Sequence, residues 1–349
     1  MPARAQVFKP LRRQMVRRRP APSELGQRRA ITITPRDQEI LRAVYHHGFL
    51  TVEHIELAFF PPCDTRTSSS SAAYDRTRSL WLWGYLEKVE LPVARMLGGR
   101  LPCLFAIGTR AVSTLAASLG NGTRPVHERR LDRLDDRNID HDLRAASFWA
   151  NLTVLARSAT LIQEWAWTAE RDIRAQKRFA VDPDTNKSRT IAPDGEFRVV
   201  YSDGDIQLGF LEVDMGTVPL RQFRKKMRGF DLYLNDRYGA RKNVIPEVYV
   251  LAHSQRRLEE LRDATNAAIA DDSQVGYFFA TFPVLEPMAF ADTCWQDLSG
   301  EQNCLLFPKA FPDASAEVDE EEEAAKTEAA AKAAMIEAGL AAGQLRLEL

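Results

Sequence analysis

Residues 206–217 read IQLGFLEVDMGT, and the nature of this stretch decides the fold. It follows the tight-turn signal Asp203-Gly204-Asp205, and its short apolar run reads as a strand in a central position of a sheet. Side chains alternate along a strand, so Glu212 and Asp214 project from the same face. Working outward, segments 160–168 and 190–201 read as two preceding strands and 143–157 as the helix before them. Downstream, 219–235 reads as an amphipathic helix with Leu220, Phe223, Met227 and Phe230 inside. Segment 247–252 then reads as a strand, 256–269 as a helix and 275–282 as a last strand. The order is α-β-β-β-α-β, which predicts an α/β (α+β) domain with a central mixed sheet over residues 140–290.

Two acids on one strand face call for a partner. Asp194, in Pro193-Asp194-Gly195, opens the second strand, and antiparallel pairing brings it beside Glu212 and Asp214. Three clustered carboxylates repel one another unless a cation or protons neutralise them. Oxygen-rich clusters suit Mg2+ or Mn2+, and such a cation activates water and stabilises charge on phosphate, as phosphodiester hydrolysis requires. Plainer readings stand beside this one. Asp194-Gly195 is also a common turn pair, Glu212 also suits an ordinary ion pair with Arg221 or Lys226, and Glu164 is either a fourth acid or an exposed strand residue.

The string P-D-G-(x)16-E-x-D resembles the P-D-(x)n-(D/E)-x-K signature of the restriction-endonuclease-like superfamily, with Asp214 standing where that pattern has lysine. Some members carry the lysine on the next helix, where Lys225 and Lys226 lie, and the resemblance implies that Lys226 or its neighbour Lys225 orients or activates that water. A closer likeness is to the plasmid replication-relaxation family. Those proteins pair an N-terminal winged-helix region with P-D-(G/A), then (L/F)-E-x-D-x-G-T, then K-x-x-x-(Y/F). Here these are residues 193–195, 211–217, and Lys226 with Phe230, while His141-Asp142-Leu143 resembles the family's helix start. The resemblance implies a role in replication or transfer of plasmids and related elements.

Residues 31–120 carry a second pattern. Thr34-Pro35 starts a helix bearing Ile40, Leu41 and Val44, and Gly48 ends it. Thr51 caps a short second helix that Pro61-Pro62 stops. A third helix spans 72–84, with Ala73, Thr77, Leu80 and Trp81 on one side and Asp75 and Arg78 on the other. Two strands, 85–91 and 102–107, flank a turn at Gly98-Gly99, and a helix at 109–119 closes the unit. Three helices and a hairpin predict a winged helix, whose third helix would set Arg76, Arg78 and Ser79 against double-stranded DNA; a protein-docking module is the alternative.

Residues 1–30 form a basic arm including Arg17, Arg18 and Arg19, suited to phosphate contact. Residues 121–139 read as a charged linker, and 291–349 as an extension ending in an acidic, Ala-rich helical tail. Of the 349 residues, 45% are hydrophobic and 27% charged, with a net charge of -1, the composition of an ordinary globular chain. Four scattered cysteines without a C-x-x-C pair argue against a zinc cluster or disulfide framework. No apolar run suits a bilayer span, so the expected location is cytoplasmic. The combined expectation is a DNA-binding protein of a mobile element with a metal-dependent nuclease-like domain. Its alternatives are a non-catalytic replication factor or repressor, or an adaptor that bridges plasmid replication or transfer proteins.

Overall fold

A computed structural model describes residues 31–60, 69–89, 103–119, 136–282, 295–300 and 307. The basic arm with Arg17, Arg18 and Arg19, Pro61-Pro62, the Gly98-Gly99 turn, most of the linker and the acidic tail lie outside the described residues. The fold is mixed α/β.

Helix α1 (Pro35–His47) starts on a capping box: Asp37 N donates to Thr34 Oγ1 (3.3 Å), and Thr34 N donates to Asp37 Oδ2 (2.6 Å). Gly48, at φ 80°, ends it in a region that favours glycine. After β1 (Leu50–Thr51), α2 (Val52–Phe59) repeats the device with Thr51 and His54. Because His54 Nδ1 accepts from Thr51 N (3.3 Å), Nε2 carries the ring proton and donates to Ser147 Oγ at 2.9 Å. Helix α3 (Ser69–Leu82) buries Ala73, Thr77, Leu80 and Trp81. Strands β2 (Leu86–Val89) and β3 (Leu104–Ile107) pair antiparallel, with β1 on the free side of β3, and α4 (Thr109–Leu119) follows.

Helix α5 (Asp136–Ser158) begins at Asp136 rather than at Leu143, and Ile139 is buried against Phe49 and Leu104. One of its faces, with Ala146, Trp149 and Ala150, completes the core of α1–α3. The opposite face, with Phe148, Leu152 and Leu155, packs on the large sheet. A helix apolar on two sides must be covered on both, so α5 is shared by two cores.

The remaining elements are β4 (Ile162–Ala169), α6 (Glu170–Ala175), β5 (Phe179–Asp182), β6 (Lys187–Thr190), β7 (Gly195–Tyr201), β8 (Ile206–Asp214), α7 (Leu220–Tyr238), β9 (Val244–Ala252), α8 (Gln255–Asn266) and β10 (Gly276–Thr281). The central sheet runs β10-β9-β8-β7-β4, antiparallel from β4 to β8 and parallel from β8 to β10. Leu211 and Val213 of β8 face α5, while Leu208 and Phe210 face α7 and α8. Burial on both faces is what the apolar run of this strand requires.

The expected second strand, 190–201, is corrected. Its first residue, Thr190, ends a separate hairpin, β5–β6, whose other strand the sequence reading leaves out, and β7 starts only at Gly195. Gly195 is not a turn residue either: it pairs with Leu211, and a Cβ there would lie 2.1 Å from the Trp167 ring. The Gly195→Ala variant should therefore lose about 1–3 kcal/mol in chemical denaturation through overpacking. Unchanged stability would mean that Trp167 shifts freely. Among the described residues, no helix is long and apolar enough to cross a membrane.

Candidate functional site

The antiparallel step between β7 and β8 puts the backbone of Asp194 beside Leu211, with Asp194 N donating to Leu211 O at 2.9 Å. The Asp194 carboxylate then turns along β8, and its Oδ2 accepts from Val213 N at 2.7 Å. From α5, His141 Nε2 reaches the same oxygen at 2.9 Å, while its Nδ1 lies 3.6 Å from Asp142 Oδ1. From α7, the Lys226 ammonium lies 3.8 Å from Asp194 Oδ1 and in close ion-pair contact with Glu212 Oε2. Lys226 sits one position before Met227 and four before Phe230, both buried in the core, which turns its stem inward. Lys225 is exposed.

The carboxylates are nearly closed to water, Asp194 at 5% and Glu212 at 9% side-chain exposure. Burial opposes charge on every member, and the partners decide the outcome. For Asp194, burial is outweighed by the Lys226 charge, His141 and the Val213 N–H, so its carboxyl stays below the usual range. Glu212 goes the other way: burial and the neighbouring Asp194 charge push it up to about 8, against the pull of Lys226. Burial favours neutral His141, yet the hydrogen bonds and charges of Asp142 and Asp194 push it up to about 11. Lys226 is also raised, since Glu212 and Asp194 overcome its burial. The group is thus a tightly coupled set of two acids and two cations under the end of the sheet.

Asp214 does not join it. It shares a face of β8 with Glu212, but its carboxylate is taken by Arg257 of α8, with Nε 2.9 Å from Oδ1 and Nη2 3.1 Å from Oδ2. This two-pronged pairing is the geometry for which guanidinium and carboxylate are matched. Gly216 N also donates to Asp214 Oδ1 (2.7 Å), and Arg257 Nη2 donates to Val218 O (2.6 Å). The pair therefore fixes the turn that launches α7. Three carboxylates converging on one point become two, because Arg257, forty-three residues on, claims the third. Glu164 stands apart as well, 74% exposed on β4 and 3.7 Å from Arg198.

On the N-terminal unit, Arg76 is not turned outward. Its Nε donates to Asp37 Oδ1 at 2.6 Å, and its Nη2 reaches Thr32 O at 2.9 Å. Ser79 bonds back to Asp75 O at 2.8 Å, and Arg78 is exposed.

Fold and cluster together define a class: a mixed α/β chain whose central sheet holds a buried acid–lysine group beneath a docked helical unit. The chain belongs to the replication-relaxation family, whose profile matches residues 41–248, a span that holds His141, Asp194, Glu212, Asp214 and Lys226 but not Arg257. Membership points to a role in replication or relaxation of a plasmid or other mobile element. No curated protein and no solved structure matches the chain.

Proposed function

We propose that the protein binds double-stranded DNA of a mobile element through its N-terminal helical unit, acting as a winged helix, and nicks that DNA at the Asp194–Glu212–Lys226 group in a restriction-endonuclease-like domain. The observation that carries this reading is the convergence of two buried carboxylates, Asp194 just before β7 and Glu212 on β8, on one lysine of α7.

The donor set suits a hard divalent cation in part. Asp194 and Glu212 would hold Mg2+ or Mn2+ through carboxylate oxygens, whereas Asp214 is committed to Arg257. When bound, such an ion lowers the pKa of water and stabilises charge on a phosphate. The chain's own residues then have separable tasks. Lys226 holds a positive charge where phosphate oxygens would otherwise face two acids. His141 holds the Asp194 carboxylate in place, its ring bonded to Oδ2. On α3, DNA contact is assigned to Arg78, which is exposed, while Arg76 holds that helix to α1.

A second reading has its own support. The cluster is already neutralised by Lys226 and His141, and a self-satisfied group of this kind also suits a non-catalytic DNA-binding factor or repressor, or an adaptor for replication or transfer proteins. Nicking of supercoiled plasmid separates these readings. The wild type should nick in Mg2+ or Mn2+, and Asp194→Ala and Glu212→Ala should each slow nicking about a hundredfold or more while still retarding duplex DNA. Arg78→Ala should instead weaken retardation. A wild type that retards DNA and leaves plasmid intact with both ions leaves only the non-catalytic reading.

A further inference from the structure

The near-closure of Asp194 and Glu212 raises the question of how a polymer the size of DNA reaches them. A cavity of about 420 Å³ opens onto Asp194 between the end of α1, the start of α5, and α6. Its lining includes His46, His47, His141, Arg171, Arg174 and Asp194. We propose that this cleft seats one unpaired nucleotide, so that the acid–lysine group meets single-stranded or locally opened DNA rather than intact duplex. The inference rests on the reading above, that the group acts on DNA.

Size is the first argument. Sites for single small ligands run to roughly 300–1,000 Å³, and the cleft lies at the lower part of that range. Duplex DNA, whose major groove alone is about 12 Å wide, is too broad to follow into it. Proteins that work on buried atoms of DNA take the nucleotide out of the stack or use single strands.

Surface chemistry is the second. The His47 ring packs 4.5 Å from Trp149 and 6.0 Å from Trp167, which holds a flat heteroaromatic edge at the cleft. The Arg171 guanidinium lies 4.1 Å from the centre of the Tyr45 ring, a planar cation braced by an aromatic. Bases stack on open planar groups without regard to sequence, and the exposed Arg171 offers such a plane. Charge is the third. Arg174 is paired with Glu170, and His46 with Asp172. Arg171 bonds instead to the carbonyl and hydroxyl of Tyr45, at 3.2 and 2.9 Å, and among the described residues it makes no ion pair with a carboxylate. Its charge is left for a phosphate.

The test uses the full chain, a fluorescently labelled single-stranded oligonucleotide and its duplex, read by anisotropy in low salt. Arg174→Glu is the primary variant, since this side chain is 63% exposed and reversing it leaves the core untouched; Arg171→Ala is the second. Each should weaken single-strand binding about tenfold or more and duplex binding by less than about twofold, whereas Arg78→Ala should do the reverse. If both cleft variants bind the single strand as the wild type does, or lose both ligands equally, the cleft is not the seat. If duplex binding still falls in Arg78→Ala at the same time, the DNA-binding half of the reading survives that loss. Failure of the wild type to bind either ligand overturns both.

Discussion

Lys226→Met should cost about 3–5 kcal/mol of folding stability at pH 9 and about half that or less at pH 6, measured by denaturant unfolding in chelator-treated buffer. Methionine keeps most of the apolar stem and removes the ammonium with its charge and N–H donors, leaving Asp194 and Glu212 to face each other nearly dry. The pH dependence follows from Glu212. Its folded value, about 8, lies above its ordinary value of 4.5, because burial and Asp194 disfavour the charged form. A group raised in this way contributes its full stability below the unfolded value and loses it as pH rises through the folded one. Without Lys226 the carboxyl is raised further, so at pH 6 it keeps a proton and the damage is contained. At pH 9 the variant must either ionise beside Asp194 or hold a proton the solvent is taking away. Adding Glu212→Gln to Lys226→Met should recover most of the loss, as expected of coupled neighbours. A penalty equal at both pH values would mean that Glu212 stays ionised throughout, and the account of the cluster would fail.

What was legible in the sequence is what local physics sets. Thr34 and Thr51 mark helix starts through bonds within three residues of each cap, and Gly48 marks a helix end through its φ of 80°, all signals set by local geometry. Strand β8 is legible because a strand buried on both faces cannot alternate with polar residues, and only Gln207 and its final acids break the rule. The β5–β6 hairpin was not, because its partners are open to solvent. Phe179 and Val181 are 62% and 51% exposed, so no apolar stripe betrayed it. A turn signal was present in Asp182-Pro183-Asp184-Thr185-Asn186: Asp182 Oδ1 accepts from Asp184 N, and Asn186 adopts φ 51°.

The candidate site divides along the same line. Asp194, Glu212 and Lys226 were found together because strand alternation and helix phase are periodic. Asp214 was misplaced because its partner lies on a later helix, outside any repeat. Lys226 rather than Lys225 follows from the burial of Met227 and Phe230, a phase readable from the helix pattern. Arg171 and Arg174 had no sequence signal, since α6 is only six residues long and its charges acquire meaning only against α1.

The two arginines of α3 put that distinction to a quantitative test. Arg76→Ala should lower stability by about 3 kcal/mol, whereas Arg78→Ala should leave it within about 0.5 kcal/mol. Asp37 is fully buried, and Arg76 supplies its counter-charge through two guanidinium nitrogens. Losing one partner of a buried pair strands the other charge, which costs far more than the pair itself contributes. Thr34 limits the damage, since its N–H and hydroxyl also donate to Asp37 at 2.6 and 2.7 Å; hence the lower end of the usual range. Arg78 sits on the open side of the same helix, where a lost side chain removes no buried contact. DNA retardation should move the opposite way for Arg78→Ala, falling while stability holds. In Arg76→Ala, retardation measured well below the unfolding temperature should stay close to wild type, because the surface of α3 proposed to meet DNA is intact. If Arg76→Ala unfolds like the wild type yet loses DNA, the guanidinium leaves Asp37 to reach phosphate, and the helix presents two arginines to the duplex instead of one.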